Sequence, residues 1–66
     1  MYRLYTKNNC PRCVELKNQY QKQNIPYTEI DIEADVESYN FLVSKGHRSL
    51  PVVYQEETLI YPVMDR

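Results

Sequence analysis

The sequence holds few of the residues that staple a small protein. Of its 66 residues, 2 are cysteine and 1 is histidine. These are too few for a disulfide framework, and too few for a closed four-ligand zinc site of the common Cys/His kind. A single core in a chain below roughly 70 residues rarely supplies more than about 3–5 kcal/mol, so regular packing must carry the fold. We predict one domain over residues 1–66, without a bound metal, in which the two cysteines act as a pair.

Long apolar runs and a surplus of basic charge are also absent. No stretch approaches the roughly 20 apolar residues of a membrane helix, and the first residues lack the apolar stretch of a signal peptide. The net charge is −1, whereas a nucleic-acid-binding domain usually carries a basic surplus. We therefore expect a cytoplasmic protein that binds neither a membrane nor nucleic acid.

The spacing of apolar residues predicts six elements in the order β-α-β-α-β-β, which is an α/β fold. Pro11 suits the first turn of a helix. A helix between the first two strands implies that these strands are parallel. The predicted strands cover residues 2–5, 27–32, 51–54 and 58–61, and the predicted helices cover residues 11–24 and 36–46.

The second helix has a predicted core face and a predicted end. Its apolar residues recur at spacings of three and four, which indicates a stripe that faces the sheet. The helix is expected to end in a left-handed cap at Gly46, which is the single glycine of the chain. The predicted stripe consists of Val36, Tyr39 and Val43 and is widened by Phe41 and Leu42.

The strongest functional signal is the motif Cys10-Pro11-Arg12-Cys13 between the first strand and the first helix. Cysteines three positions apart in a first helical turn bring their sulfurs to bonding distance. The helix N-terminus favours a thiolate at Cys10, and the positive charges of Arg12 and Lys7 add to this effect. We predict that Cys10 is the catalytic nucleophile and that Cys13, one turn inside the helix, resolves the mixed disulfide.

Two structural explanations of the cysteine pair remain open. The pair could form a permanent disulfide, although a loop of four residues constrains the unfolded chain little and the expected compartment is reducing. It could also supply half of a zinc site that is shared between two chains. Redox chemistry is the prediction that we carry forward.

A second signal is Pro51, which opens a strand that would otherwise be central and therefore must occupy its first position. A cis bond before Pro51 would leave the backbone groups of Leu50 free to pair with a peptide or thiol ligand, although most such bonds are trans. His47 stands alone in the loop before it and is expected to be a surface histidine. Three tyrosines are expected to fill apolar faces, namely Tyr20, Tyr39 and Tyr54.

Five segments that span nearly the whole chain carry a family resemblance. They are Tyr5-Thr6-Lys7, Cys10-Pro11-Arg12-Cys13, Ile25-Pro26-Tyr27, Glu29-Ile30-Asp31-Ile32 and Gly46-His47-Arg48-Ser49-Leu50-Pro51-Val52-Val53. Together they resemble glutaredoxins of the thioredoxin superfamily. The last segment looks most like the NrdH-redoxins, which take electrons from thioredoxin reductase and pass them to ribonucleotide reductase. The portion from Lys7 to Cys13 looks more like a glutathione-dependent glutaredoxin.

The resemblance implies a minimal thioredoxin-like fold and a small dithiol oxidoreductase without a bound cofactor. It implies that the Leu50–Pro51 bond is cis and packs against the two cysteines. Glutathione or thioredoxin reductase is the implied reductant, and the implied partner is a protein disulfide, with ribonucleotide reductase as one candidate. The substrate-binding residues on this interpretation are Lys7, Arg12, Leu50, Pro51 and Asp65.

The sequence departs from the glutaredoxin pattern at three places. Arg12 replaces the usual tyrosine, which adds charge beside the thiolate. The family's glycine pair and the acidic pair after it are replaced by Tyr61-Pro62-Val63-Met64-Asp65, in which Asp65 is the acidic residue that remains. The chain stops at Arg66, where the family's last helix begins, so we expect a fold that lacks this helix.

The early stop leads to a further expectation about the surface. Two helices would leave one face of the sheet partly bare, and an exposed apolar patch there would invite a partner or a weak homodimer. A rival functional hypothesis is that the chain is a binding or adaptor protein that kept the fold and lost its redox role. The patch is expected to include some of the residues Val52, Val53, Tyr54, Leu59, Ile60 and Tyr61.

Overall fold

The computed structural model describes residues 1–61 and confirms the predicted order of elements. Strand β1 is one residue longer than predicted and includes Thr6. Strand β3 begins at Val52, one residue after Pro51, because proline has no N–H to donate to the neighbouring strand. The elements are β1 (Tyr2–Thr6), α1 (Pro11–Lys22), β2 (Tyr27–Asp31), α2 (Val36–Ser44), β3 (Val52–Gln55) and β4 (Thr58–Tyr61).

The four described strands form one sheet in the order β2-β1-β3-β4. Strand β1 pairs with β2 in parallel, as the intervening helix predicts, and with β3 in antiparallel fashion. Tyr5, near the carboxyl end of β1, is registered against Ile30 on one side and Val52 on the other. The cysteine motif follows this strand after the short loop of residues 7–9, so it lies at the end of the sheet where β3 begins.

The two helices cover opposite faces of the sheet. Neighbouring residues of β1 point to opposite sides, so they contact different helices. Leu4 packs with Leu16 of α1, whereas Tyr5 packs with Leu42 of α2. Strand β3 repeats the division, since Val53 joins the α1 cluster and its neighbours Val52 and Tyr54 join the α2 cluster. The core is therefore two apolar clusters separated by the central strands.

Both helices end in the hydrogen-bond pattern of a left-handed cap. At the end of α2, Gly46 has a φ of 86° and donates its N–H to the carbonyl of Val43, while the N–H of His47 reaches Leu42. This confirms the predicted role of Gly46. Helix α1 uses Asn24 in the same way with a φ of 57°, which asparagine tolerates better than most residues.

The buried stripe of α2 differs from the predicted one. Val36, Tyr39 and Val43 are 69%, 51% and 54% exposed, so the prediction that they face the sheet, and that Tyr39 fills the core, is wrong. The helix instead buries Leu42 and half-buries Phe41. The Phe41 ring fits between two aromatic rings of the sheet, with ring centres 6.0 Å from Tyr5 and 5.2 Å from Tyr54.

The predicted apolar patch on the final hairpin is wrong for β3 and is limited to β4. Val52 and Val53 are fully buried and Tyr54 is 5% exposed, because β3 is an interior strand that both helices cover. Of the six residues expected there, Tyr61 is the exposed one. Within residues 1–61, the surface on which a weak homodimer was expected to form is thus reduced to β4. Three of the six exposed large apolar side chains lie on α2, namely Val36, Tyr39 and Val43.

Candidate active site

The cysteine motif is held by the turn between β1 and α1. Asn9 takes a left-handed conformation with a φ of 58° and redirects the chain. Cys10 is the N-cap of α1 in an extended conformation, and Pro11 opens the first turn, where its missing N–H costs nothing. The sulfur of Cys10 accepts the backbone N–H of Cys13 at 3.4 Å. The thiol thus occupies the place that a serine or aspartate side chain takes in an ordinary helix cap.

The two thiols lie side by side but differ in exposure. The sulfur atoms are 2.8 Å apart, and the Cys13 thiol donates a hydrogen bond to Cys10. Cys10 is half-buried, whereas Cys13 is 1% exposed. Cys10 is therefore the sulfur that is accessible from solvent, and Cys13 lies within reach of the Cys10 sulfur alone.

Hydrogen bonding controls the acidity of the outer thiol. Burial alone would raise the pKa of Cys10, but the hydrogen bonds that its sulfur accepts outweigh burial and hold the pKa below its ordinary value. The donors are the Cys13 thiol and the backbone N–H groups of Cys13 and Arg12, and the charge of Lys7 acts in the same direction. The exposed Arg12 guanidinium was expected to contribute, but Arg12 acts through its backbone N–H instead.

The inner thiol shifts in the opposite direction. Burial raises the pKa of Cys13 to about 11, and both the hydrogen bond to Cys10 and the negative charge of Cys10 add to this rise. The backbone N–H of Lys7 and the charge of Lys17 oppose it. Cys10 is therefore the thiol of the pair that ionises more readily, whereas Cys13 stays protonated at neutral pH.

The loop before β3 places Leu50 and Pro51 beside Cys10. The Leu50–Pro51 peptide bond is cis, as the resemblance implies. The carbonyl oxygen of Leu50 is 4.0 Å from the Cys10 sulfur, and Pro51 is buried. Of the sequence-predicted site residues, the structure thus gathers Cys10, Cys13, Leu50 and Pro51 at one edge of the sheet.

Two clefts lie beside Lys7, and the smaller of them contains the thiols. A cleft of about 880 Å³ lies along α2 and includes Leu50 and Arg48, and a second cleft of about 570 Å³ lies along the start of α1 and includes both cysteines. Lys7 lines both clefts, so it lies between them. Asp65, the last predicted binding residue, lies outside the described residues.

A polar network beside Cys13 was not found by sequence reasoning. The ammonium of Lys17 is 3.0 Å from the Glu29 carboxylate, and the hydroxyl of Thr6 donates to the same carboxylate oxygen at 3.2 Å. Lys17, Glu29, Thr6 and Cys13 all line the smaller cleft. The available signal was the position of Lys17 four residues after Cys13, which puts both on one side of α1.

His47 is half-buried rather than a free surface side chain, because its Nε2 lies 2.9 Å from the Tyr54 hydroxyl and its ring packs edge-on against that tyrosine.

Within residues 1–61, no group of three or more histidine, cysteine or acidic side chains is arranged to hold a metal ion. In the same range no helix has the length and apolar character needed to cross a membrane.

Comparison with known proteins agrees with this geometry. The family model named Glutaredoxin matches residues 3–60. The glutaredoxin-like protein NrdH of Lactococcus lactis subsp. cremoris is 30% identical over 57 residues, which cover 86% of this chain and 79% of that protein. The solved NrdH-redoxin of Escherichia coli superposes with a TM-score of 0.84 at 25% identity, covering 89% of this chain and 78% of that one.

A second solved structure, that of a thioredoxin-like protein, superposes with a TM-score of 0.80 at 28% identity and covers 91% of this chain and 84% of that one. The class defined by this fold and thiol pair is the thioredoxin-like α/β class. Within it, the chain belongs to the glutaredoxin family, whose members are generally thiol-disulfide oxidoreductases. The predicted family and fold are thereby confirmed.

Proposed function

We propose that this protein is a dithiol oxidoreductase that reduces disulfide bonds in a protein substrate. The observation that carries the proposal is the asymmetry of the pair, in which the accessible sulfur has a lowered pKa and the buried sulfur 2.8 Å away has a raised one. This division suits a nucleophile and a resolving thiol, because the thiolate is the attacking form and only one thiolate is needed at a time.

The reaction proceeds in two exchanges. The Cys10 thiolate attacks one sulfur of the substrate disulfide, a Cys10–substrate disulfide forms, and the other substrate sulfur leaves as a thiolate that takes a proton from solvent. Cys13 then loses its proton and attacks the Cys10 sulfur, which releases the second substrate thiol. The substrate has gained two electrons and two protons, and the protein ends with a Cys10–Cys13 disulfide.

The substrate contacts are proposed from the residues around Cys10. Leu50 places a backbone carbonyl 4.0 Å from the reacting sulfur, where an extended peptide can pair with the chain before Pro51. Lys7 adds a positive charge at the junction of the two clefts. We keep Arg12 and Asp65 in the proposed binding set on the sequence argument alone.

The proposed reductant is thioredoxin reductase or another protein dithiol rather than glutathione, and no cofactor stays bound. Glutathione is charged at both ends, and glutaredoxins hold one end with backbone N–H groups next to a glycine pair. Here Tyr61 and Pro62 occupy that segment, and proline has no N–H. Two lost hydrogen bonds to a charged group, at about 1.5–3 kcal/mol each, would weaken binding on the order of a hundredfold or more.

The relatives support the same choice of reductant. The Escherichia coli NrdH-redoxin is described as a glutaredoxin-like protein with a thioredoxin-like activity profile. Ribonucleotide reductase as the electron acceptor is the finer part of the proposal and rests on the resemblance of residues 46–53 to the NrdH-redoxins.

The test is a side-by-side assay of the two reducing systems. The oxidised protein is supplied either with thioredoxin reductase and NADPH or with glutathione, glutathione reductase and NADPH, and turnover of a small disulfide is followed by NADPH absorbance. We expect faster turnover with thioredoxin reductase and none with Cys10→Ser in either system. A clear preference for glutathione would overturn the proposed reductant. No turnover with either system would favour the adaptor hypothesis.

A further inference from the structure

The resolving exchange places a demand on Cys13 that the motif alone does not meet. Cys13 is almost fully buried, and burial disfavours the thiolate that it must become before it can attack Cys10. The structure must therefore supply an interaction that stabilises the buried Cys13 thiolate once the mixed disulfide has formed.

Lys17 lies where it can meet this demand. It follows Cys13 by four residues in α1, which places the two side chains next to each other on one side of the helix. Both side chains line the smaller cleft, and the Lys17 side chain is 26% exposed. The aliphatic part of Lys17 is thus partly covered on the side of the helix that holds Cys13, while its ammonium is paired with Glu29 at the surface.

Glu29 restrains this lysine. Its carboxylate on β2 is 3.0 Å from the Lys17 ammonium and is itself held by the Thr6 hydroxyl at 3.2 Å. A lysine in this position would otherwise sample many rotamers in solvent. Because Thr6 and Glu29 come from two strands of the sheet, the ammonium is anchored against the sheet rather than free to swing away from Cys13.

We propose that Lys17, anchored by Glu29, is a positioning residue for the resolving exchange, where its charge stabilises the Cys13 thiolate that attacks the mixed disulfide. The inference rests on the proposed function of the pair and adds a residue to it. Cys13 releases its proton to solvent, its sulfur bonds to Cys10, and the substrate sulfur departs with the electron pair of the broken bond. Lys17 keeps its proton throughout.

The contribution of Lys17 is greatest at this step because the other influences on Cys13 change. In the reduced protein, the hydrogen bond to Cys10 and the negative charge of Cys10 both raise the pKa of Cys13. Once Cys10 is bonded to substrate it carries no charge, so both influences end. The charged groups that still share the cleft with Cys13 are Lys7, Lys17, Glu29 and Asp31.

The first experiment measures the acidity of Cys13 without any turnover. In a Cys10→Ser protein, Cys13 is the remaining thiol, and its ionisation is followed by the NMR chemical shift of its ¹³C-labelled β-carbon during a pH titration, because the 7 tyrosines would mask the thiolate in ultraviolet absorbance. We expect Lys17→Met to raise the pKa of Cys13 and Lys17→Arg to restore it, because arginine keeps the charge. Lys22→Met is the matched control, since Lys22 lies exposed in the last turn of the same helix. Equal pKa values in Lys17→Met and Lys22→Met would overturn the proposal.

The second experiment isolates the resolving rate in proteins that retain both cysteines. The reduced protein reacts with an aromatic disulfide whose released thiolate is coloured, so that the first release reports attack by Cys10 and the second reports resolution by Cys13. A tenfold loss of thiolate is partly offset by the greater nucleophilicity of a less acidic thiol, which leaves a resolution about threefold slower. We expect Lys17→Met to slow the second release near neutral pH and to leave the rate of the first release unchanged. At high pH the second-release rates of the variant and the parent protein should become similar.

Two results separate this inference from its alternatives. If Glu29→Gln slows resolution while Lys17→Met does not, the carboxylate is the proton acceptor and the role of Lys17 is overturned. If the protein fails to reduce disulfides at all, the Cys10→Ser titration still reports the effect of Lys17 on Cys13. Failure of the proposed function and failure of this inference are therefore distinguishable.

Discussion

The two ends of the thiol pair show how strongly position decides the chemistry of a cysteine. Cys10 and Cys13 are the same residue type within one helical turn, yet one pKa is lowered and the other is raised to about 11. Cys10 caps the helix and receives hydrogen bonds from its open N-terminus, whereas Cys13 lies one turn inside and donates one. The comparison indicates that the roles of nucleophile and resolver follow from the start of α1, with the surrounding charges as adjustments.

The largest effect that can break this comparison is loss of the outer thiol. We expect Cys10→Ser to abolish disulfide reduction, because the remaining Cys13 is buried and protonated at neutral pH. Steady-state turnover of a protein disulfide measures the effect. Full activity in this variant would show that the roles of the two cysteines are assigned the wrong way round.

Loss of the inner thiol should have a different consequence. We expect Cys13→Ser to complete the first exchange and then to stop as a stable mixed disulfide between Cys10 and the substrate, since no thiol remains to resolve it. Mass spectrometry of the intact protein under non-reducing conditions detects this adduct. Equal trapping by both single variants would contradict the asymmetry of the pair.

A smaller effect is expected from the cation beside the outer thiol. Lys7 lowers the pKa of Cys10, so Lys7→Met should raise it and reduce the rate of the first exchange several-fold at pH values below that pKa. The sign follows from the thiolate population, which falls as pH falls through the pKa of Cys10. Above both pKa values the variant and the parent should react at similar rates, and a deficit that persists there would indicate a binding role instead.

The smallest effect concerns Arg12. Its side chain is exposed and its contribution to Cys10 comes through the backbone N–H, which a side-chain substitution retains. We therefore expect Arg12→Glu to raise the pKa of Cys10 less than Lys7→Met does and to change the first exchange by only about twofold, as is typical of an exposed charge. If the pKa of Cys10 rises more in Arg12→Glu than in Lys7→Met, the Arg12 guanidinium does stabilise the Cys10 thiolate, as the sequence predicts.

The sequence predicts those parts of the fold that depend on neighbouring residues. The Gly46 cap, the start of α1 at Pro11 and the order of elements all follow from local signals. The buried face of α2 does not, because its apolar residues fit more than one stripe. The choice depends on Tyr5 and Tyr54, which come from distant parts of the chain and receive the ring of Phe41 between them.

The candidate site divides along the same line. Cys10 and Cys13 are recognisable from a four-residue motif and its place before a helix. The pairing of Lys17 with Glu29 is not, since it requires the side of α1 that carries Lys17 to meet a particular position of β2. The burial of Val53 likewise depends on the strand order, which places β3 between β1 and β4.

Lys7 acts on the two thiols through different parts of its structure. Its side-chain charge lowers the pKa of Cys10, while its backbone N–H donates to Cys13. Every amino acid except proline retains a backbone N–H. Substitutions at this position can therefore change the charge beside the nucleophile while the hydrogen bond to the resolving thiol is kept, so residue 7 is a place where related proteins can differ in the first exchange.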